Sequence, residues 1–125
     1  MNAEEAALQV ELQQLRHDAA IADLPHRFDD HAAAIKWILG YVDSASADCI
    51  RGQDTQRVIR ALEASGYSYN DRFASAGANW TDPDFMARFF ILVFITHMHN
   101  ETVHHAVGHL TKLGNYALEL LERNR

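Results

Sequence analysis

The chain has 125 residues, 48% of them hydrophobic, and a formal net charge of -6. That length suits one domain spanning residues 1–125, with a core that needs no disulfide or structural metal, and the composition excludes disorder as a description of the whole. The acidic balance gives no general attraction for nucleic acid or for an anionic membrane.

Cys49 is the single cysteine, so an intrachain disulfide is excluded and a reducing, cytoplasmic setting is expected. The N-terminal stretch is acidic and lacks the apolar core of a secretory signal. The longest apolar run, Phe89 to Ile95, is far below the ~18 residues of a membrane span.

Residues 3–22 read as a helix. Leu8, Leu12, Leu15, Ala19 and Ala22 follow a 4-3-4-3 spacing and share one seam, and the helix is expected to pack on the rest of the domain or on a second copy. Leu24-Pro25 ends this helix. Its acids, among them Glu4, Glu5, Glu11 and Asp18, read as a solvated face.

Asp29 or Asp30 is expected to cap a second helix, with Ile35, Ile38, Leu39 and Val42 at core spacing. Its pattern runs on through Ala45 and Cys49 to Gly52, a candidate stop. A third helix is expected from Asp54 or Thr55, burying Val58, Ala61 and Leu62 and ending at Gly66. Residues 66–82 carry turn formers and the aromatics Tyr67, Tyr69, Phe73 and Trp80. The aromatics are expected to pin the loop to the core, with a short helix from Asn70 to about Ala76.

Thr81-Asp82-Pro83-Asp84 is the strongest helix start: Asp82 as N-cap, Pro83 at the first helical position, Asp84 at the positive end of the dipole. The residues that follow are apolar on every side, which predicts a buried central helix rather than a strand. From Glu101 to about Arg123 a helical pattern returns, with Val103, Val107, Leu110, Leu113, Ala117, Leu120 and Leu121 on one face. Either Asn100 caps a separate helix, or one helix runs from Pro83 to the end. The expected fold is an all-α, single-domain bundle of four to five helices.

Five histidines and one glutamate lie between His97 and His109. On a helix, His97, Glu101, His104 and Gly108 share one stripe, His105 and His109 form an i, i+4 pair beside it, and His99 points away. Imidazoles at i and i+4 present two nitrogens to one ion, and a carboxylate adds a hard oxygen. Glu101-Thr-Val-His104 also has the Glu-x-x-His spacing of diiron bundles, without a second copy of the motif.

Three families bear comparison. His105-Ala-Val-Gly-His109 resembles the zinc-protease His-Glu-x-x-His pattern but has Ala106 where the general base belongs, so proteolysis is not implied. His97-Met-His99 resembles the start of the metallo-β-lactamase motif, whose Asp-His part and many strands are missing. Asn100 to Leu110 is similar to the last metal helix of DinB-like four-helix proteins, which implies His31 as the ligand from an earlier helix.

Two functions are therefore expected. One is a divalent transition-metal site for zinc, nickel or iron, built from His31, His105 and His109 or from His97, Glu101 and His104, with no substrate named. The other is a non-catalytic, acidic helical interaction module acting on a protein partner or as a homo-oligomer.

Overall fold

The computed structural model describes residues 2–45, 52–68 and 77–124. Among them are five α-helices and no strand: α1 (Ala3–Ala22), α2 (His31–Ser44), α3 (Gly52–Ala64), α4 (Pro83–Asn100) and α5 (Val107–Arg123), with a 3-10 turn at Val103–His105. The all-α architecture is as the sequence implies. The short helix expected at residues 70–76, together with Tyr69, Phe73 and Cys49, lies outside the described residues.

Three helices start on the side-chain caps their sequences offer. The N–H of Glu5 donates to Asn2 at 2.8 Å, that of Ala33 to Asp30 at 2.8 Å, and that of Phe85 to Asp82 at 2.7 Å. Each bond satisfies a donor that the first helical turn leaves free. Pro83 occupies the first turn of α4, where its missing N–H is harmless.

Two boundaries differ from the sequence pattern. α2 stops at Ser44, where Ala45 turns extended, rather than continuing to Gly52. The stop is supplied by other contacts: Ser44 Oγ donates back to Tyr41 O at 2.8 Å, and the Gln13 amide of α1 reaches the carbonyls of Ser44 and Ala45. Gly52 then opens α3 instead of closing α2, which leaves Asp54 in the first turn rather than at the cap. α3 does end at Gly66, whose φ of 95° is one that side chains resist.

The core gathers around α4. Phe85, Met86, Ala87, Phe90, Ile91, Phe94, Ile95 and Met98 are all buried, spread round the helix. α2 covers it with Ile35, Ile38 and Tyr41, α3 with Val58 and Leu62, and α5 with Leu110, Ala117 and Leu120. Trp80 remains half-exposed but packs edge-on against Phe85 and Phe89. α1 lies outside this group and packs on α2.

α5 comes closest to its neighbours at Gly114. A Cβ there would sit 2.7 Å from both Leu39 Cδ2 and Phe90 Cζ. Gly108, near the start of the same helix, meets nothing within 4 Å. Gly114→Ala is therefore expected to lower stability by about 1–3 kcal/mol through overpacking. Gly108→Ala should leave stability unchanged or raise it by up to ~1 kcal/mol. Thermal melts of the two variants check this pair, and equal effects would contradict it.

Candidate functional site

The histidine segment does not form the helix its spacing invites. α4 ends at Asn100, and Glu101 turns left-handed at φ 56°, ψ 40°. The N–H of Thr102 then donates back to His97 O at 2.9 Å, closing the helix end as a glycine would normally close it. The Thr102 hydroxyl and His97 Nδ1 reinforce the turn at 2.7 Å. Asn100 is thus the last residue of one helix and not the cap of the next.

This turn takes the expected stripes apart. His97 stays in the last turn of α4 with its Nδ1 engaged, while Glu101 projects from the left-handed turn into solvent. His104 and His105 belong to the 3-10 turn, and His109 sits exposed in the first turn of α5. The helical i, i+4 relations of His105 to His109 and of His97 to Glu101, and the i, i+3 relation of Glu101 to His104, are lost. The rings of His104 and His105 are 3.9 Å apart between centroids, and His104 Nδ1 is buried without a hydrogen bond.

His31 lies at the other end of the bundle. Its Nε2 is 2.8 Å from Asp84 Oδ1, in the first turn of α4. Thirteen residues at 1.5 Å rise place Asp84 roughly 20 Å from His97. The structure does not bring His31 to His105 and His109. Among the described residues, no group of three or more His, Cys, Asp or Glu side chains is arranged to hold a metal ion.

His31 belongs to a different constellation. Its Nδ1 is 2.5 Å from Tyr67 Oη, and Arg88 Nε donates to Asp84 Oδ2 at 3.1 Å. Burial pushes the Tyr67 phenol up to about 12, with Arg88 pulling it down and Asp30 and Asp84 adding to the rise. The phenol stays protonated, and with the Nε2–H tautomer of His31 it donates to Nδ1 while Nε2–H donates to Asp84. Burial would raise the Asp84 carboxyl, but the His31 hydrogen bond and the Arg88 charge outweigh it and hold it below the usual range.

The Tyr–His–Asp order looks like a proton relay. A buried phenol whose ionisation is suppressed is a poor nucleophile, and the set instead ties α2, the turn after α3 and α4 together. A cleft of about 480 Å³ opens beside it, bordered by His31, Asp82, Asp84 and Leu121.

The third feature is α1, which is mounted with its apolar seam outward. Leu8, Leu12 and Leu15 are 54%, 41% and 60% exposed, and Ala19 and Ala22 are exposed too. The face turned to α2 carries Gln13, His17, Ala20 and Ile21. His17 is 1% exposed, with Nδ1 3.4 Å from Ser44 Oγ and its ring 5.1 Å from that of Tyr41. Trp37 Nε1 donates to Ala20 O at 2.9 Å. α1 thus packs on the rest of the domain, as expected of it, but through this mixed face and not through the leucine seam.

Gln13, His17 and Ile21 share a face of α1 at i, i+4 steps, a spacing less conspicuous in the sequence than the leucine seam. In the sequence, Tyr67 reads as a pinning aromatic and Asp84 as a helix-start acid. No sequence spacing joins them to His31.

The chain matches no protein-family model, no curated protein and no solved structure. The resemblance of residues 100–110 to a DinB-like metal helix has no support from that quarter, and the left-handed turn at Glu101 interrupts the helix it needs.

Two outcomes are expected. Glu101→Gly should raise stability by about 0.5–1 kcal/mol, because glycine enters the left-handed region without penalty; destabilisation on a thermal melt would mean the Glu101 side chain makes a needed contact. Tyr67, with a folded pKa above its unfolded one, contributes stability that is complete below pH 10 and fades as pH rises from 10 towards 12. In a spectrophotometric alkaline titration, Tyr67→Phe should remove one late-ionising phenol; loss of an ordinary phenol near pH 10 would contradict the assignment.

Proposed function

We propose that this chain is a non-catalytic self-assembly module whose contact element is α1. The observation that carries the reading is the orientation of that helix. Leu8, Leu12 and Leu15 project away from the bundle, while the same helix turns a partly polar face to α2. A row of leucines in water is an unpaid hydrophobic area, and a row at 4-3-4-3 spacing is shaped to interdigitate with another helix. Among the described residues, the bundle lies on the opposite side of α1 and leaves the leucine seam exposed.

The expected strength is modest. Six leucines in a dimer, each gaining ~1–2 kcal/mol from its half-exposed state, contribute ~6–12 kcal/mol. Loss of translational and rotational freedom opposes this with a term of the same order. With that opposing term at the low end of its range, ~4–5 kcal/mol, a mid-range gain leaves about 4–7 kcal/mol, a dissociation constant of about 10 μM to 1 mM. Sedimentation equilibrium from about 5 μM to 1 mM should show the mass rising towards twice that of the monomer. Leu12→Glu/Leu15→Glu should remain monomeric and melt within a few degrees of the parent, since neither leucine supports the core. A parent that stays monomeric at 1 mM, or a variant that associates equally well, would refute the proposal.

A metal site at His104 and His105 is the second reading, favoured by their adjacent rings and the buried Nδ1 of His104 without a hydrogen bond. Zinc, nickel or iron there would take its remaining ligands from solvent or from another chain. Calorimetric titration of tag-free protein with zinc should give binding that His104→Ala/His105→Ala removes. The absence of a binding isotherm at 100 μM zinc would dispose of it.

A further inference from the structure

Charges flank the leucine seam unequally. Core positions Leu8, Leu15 and Ala22 alternate with Leu12 and Ala19, so Glu4, Glu11 and Asp18 border one side and Gln9, Arg16 and Asp23 the other. Glu11 and Arg16 are exposed, and neither makes an ion pair among the described residues.

We infer that the partner of α1 is α1 of a second copy, lying parallel and in register, with Glu11 of each chain paired to Arg16 of the other. The inference rests on the self-assembly reading and fixes its geometry. In a parallel pair, each residue preceding the first core position of a heptad faces the residue five further along on the other chain. That rule sets Glu11 against Arg16 twice and Glu4 against the neutral Gln9 twice. Asp18 against Asp23, also twice, is its one repulsive pairing. That pair lies where α1 ends, with Asp23 beyond the last helical residue and Asp18 already accepting from Gln14 Nε2 at 2.9 Å.

The antiparallel alternative, which layers Leu12 on Leu15 of the other chain, does worse. It matches the Glu4, Glu11, Asp18 side with itself, so Glu11 meets Asp18 twice and no cation answers. Arg16 then finds only Gln9. Leucines in the first half of the seam and Ala19 and Ala22 in the second let two parallel helices converge towards their C-terminal ends. The two bundles sit on opposite flanks of the coil, since each packs on the face of its own α1 that lies away from the seam.

The two orientations give opposite signs to one substitution. In the parallel dimer, Glu11→Arg places like charges together and should raise Kd about tenfold at low ionic strength. Arg16→Glu should do the same, and the double exchange E11R/R16E should restore parent affinity. Both residues are exposed, so the variants keep the fold. Sedimentation measurements that show E11R tightening the dimer would overturn the parallel arrangement in favour of the antiparallel one and leave self-assembly standing. Association in which E11R and R16E have no effect would overturn the orientation likewise. No association of the parent at 1 mM would overturn both. A second measurement needs no charge change: in a Cys49→Ser background, Leu12→Cys should form a disulfide-linked dimer with oxidised glutathione as the oxidant. Failure to do so, while a mixture with Leu15→Cys cross-links, would again indicate antiparallel helices.

Discussion

Phe85, Met86, Phe90, Ile91, Phe94, Ile95 and Met98 leave α4 without a polar stripe, so the helix has to be covered from several sides at once, and the placement of α2, α3 and α5 follows from that demand. A chain this short has few residues to spare for coverage. α5 meets the demand by coming close enough at Gly114 that Leu39 and Phe90 occupy the space of a side chain. α1 is left over. It attaches to α2 through a mixed face.

Much of this was written in local chemistry. Asp30, Asp82 and Pro83 announced two helix starts, and Gly66 a helix end, because each solves a backbone problem within a few residues of itself. The buried faces of α2, α3 and α4 were legible from spacing. The end of α2 was not, because the group that reaches the carbonyls of Ser44 and Ala45 comes from Gln13, 31 and 32 residues away. The break at Glu101 was equally silent. The left-handed position holds a glutamate where glycine is usual, and the bonds that stabilise it, from Thr102 to His97, have no signature in the sequence.

That one turn decides how the histidines relate. Periodicity sorts residues into stripes only while the helix lasts, and here it lasts to Asn100. His31 shows the complementary lesson. Its partners, Tyr67 and Asp84, are 36 and 53 positions away in sequence, and only the packing of α2 and α4 with their N-termini side by side brings them within hydrogen-bonding distance. The outward seam of α1 was half legible: its spacing was plain, but a heptad pattern says that a helix has a sticky face and does not say where that face points.

The way α1 is fastened has a further consequence. Directional bonds from Gln13 and Trp37, a buried His17 and the side chain of Ile21 hold it, whereas the other helices are held by broad apolar contact. An element secured by a few point attachments opens as its own cooperative unit, at a free energy below that of global unfolding, and its amides exchange with solvent ahead of the core. The latch also carries a fluorophore. Trp37 donates its indole N–H to Ala20 and stacks on Tyr41 at 5.3 Å, so release of α1 changes the polarity around the indole while α4 and its coverings are still intact. Its emission reads out the partial opening of α1 separately from the melting of the bundle.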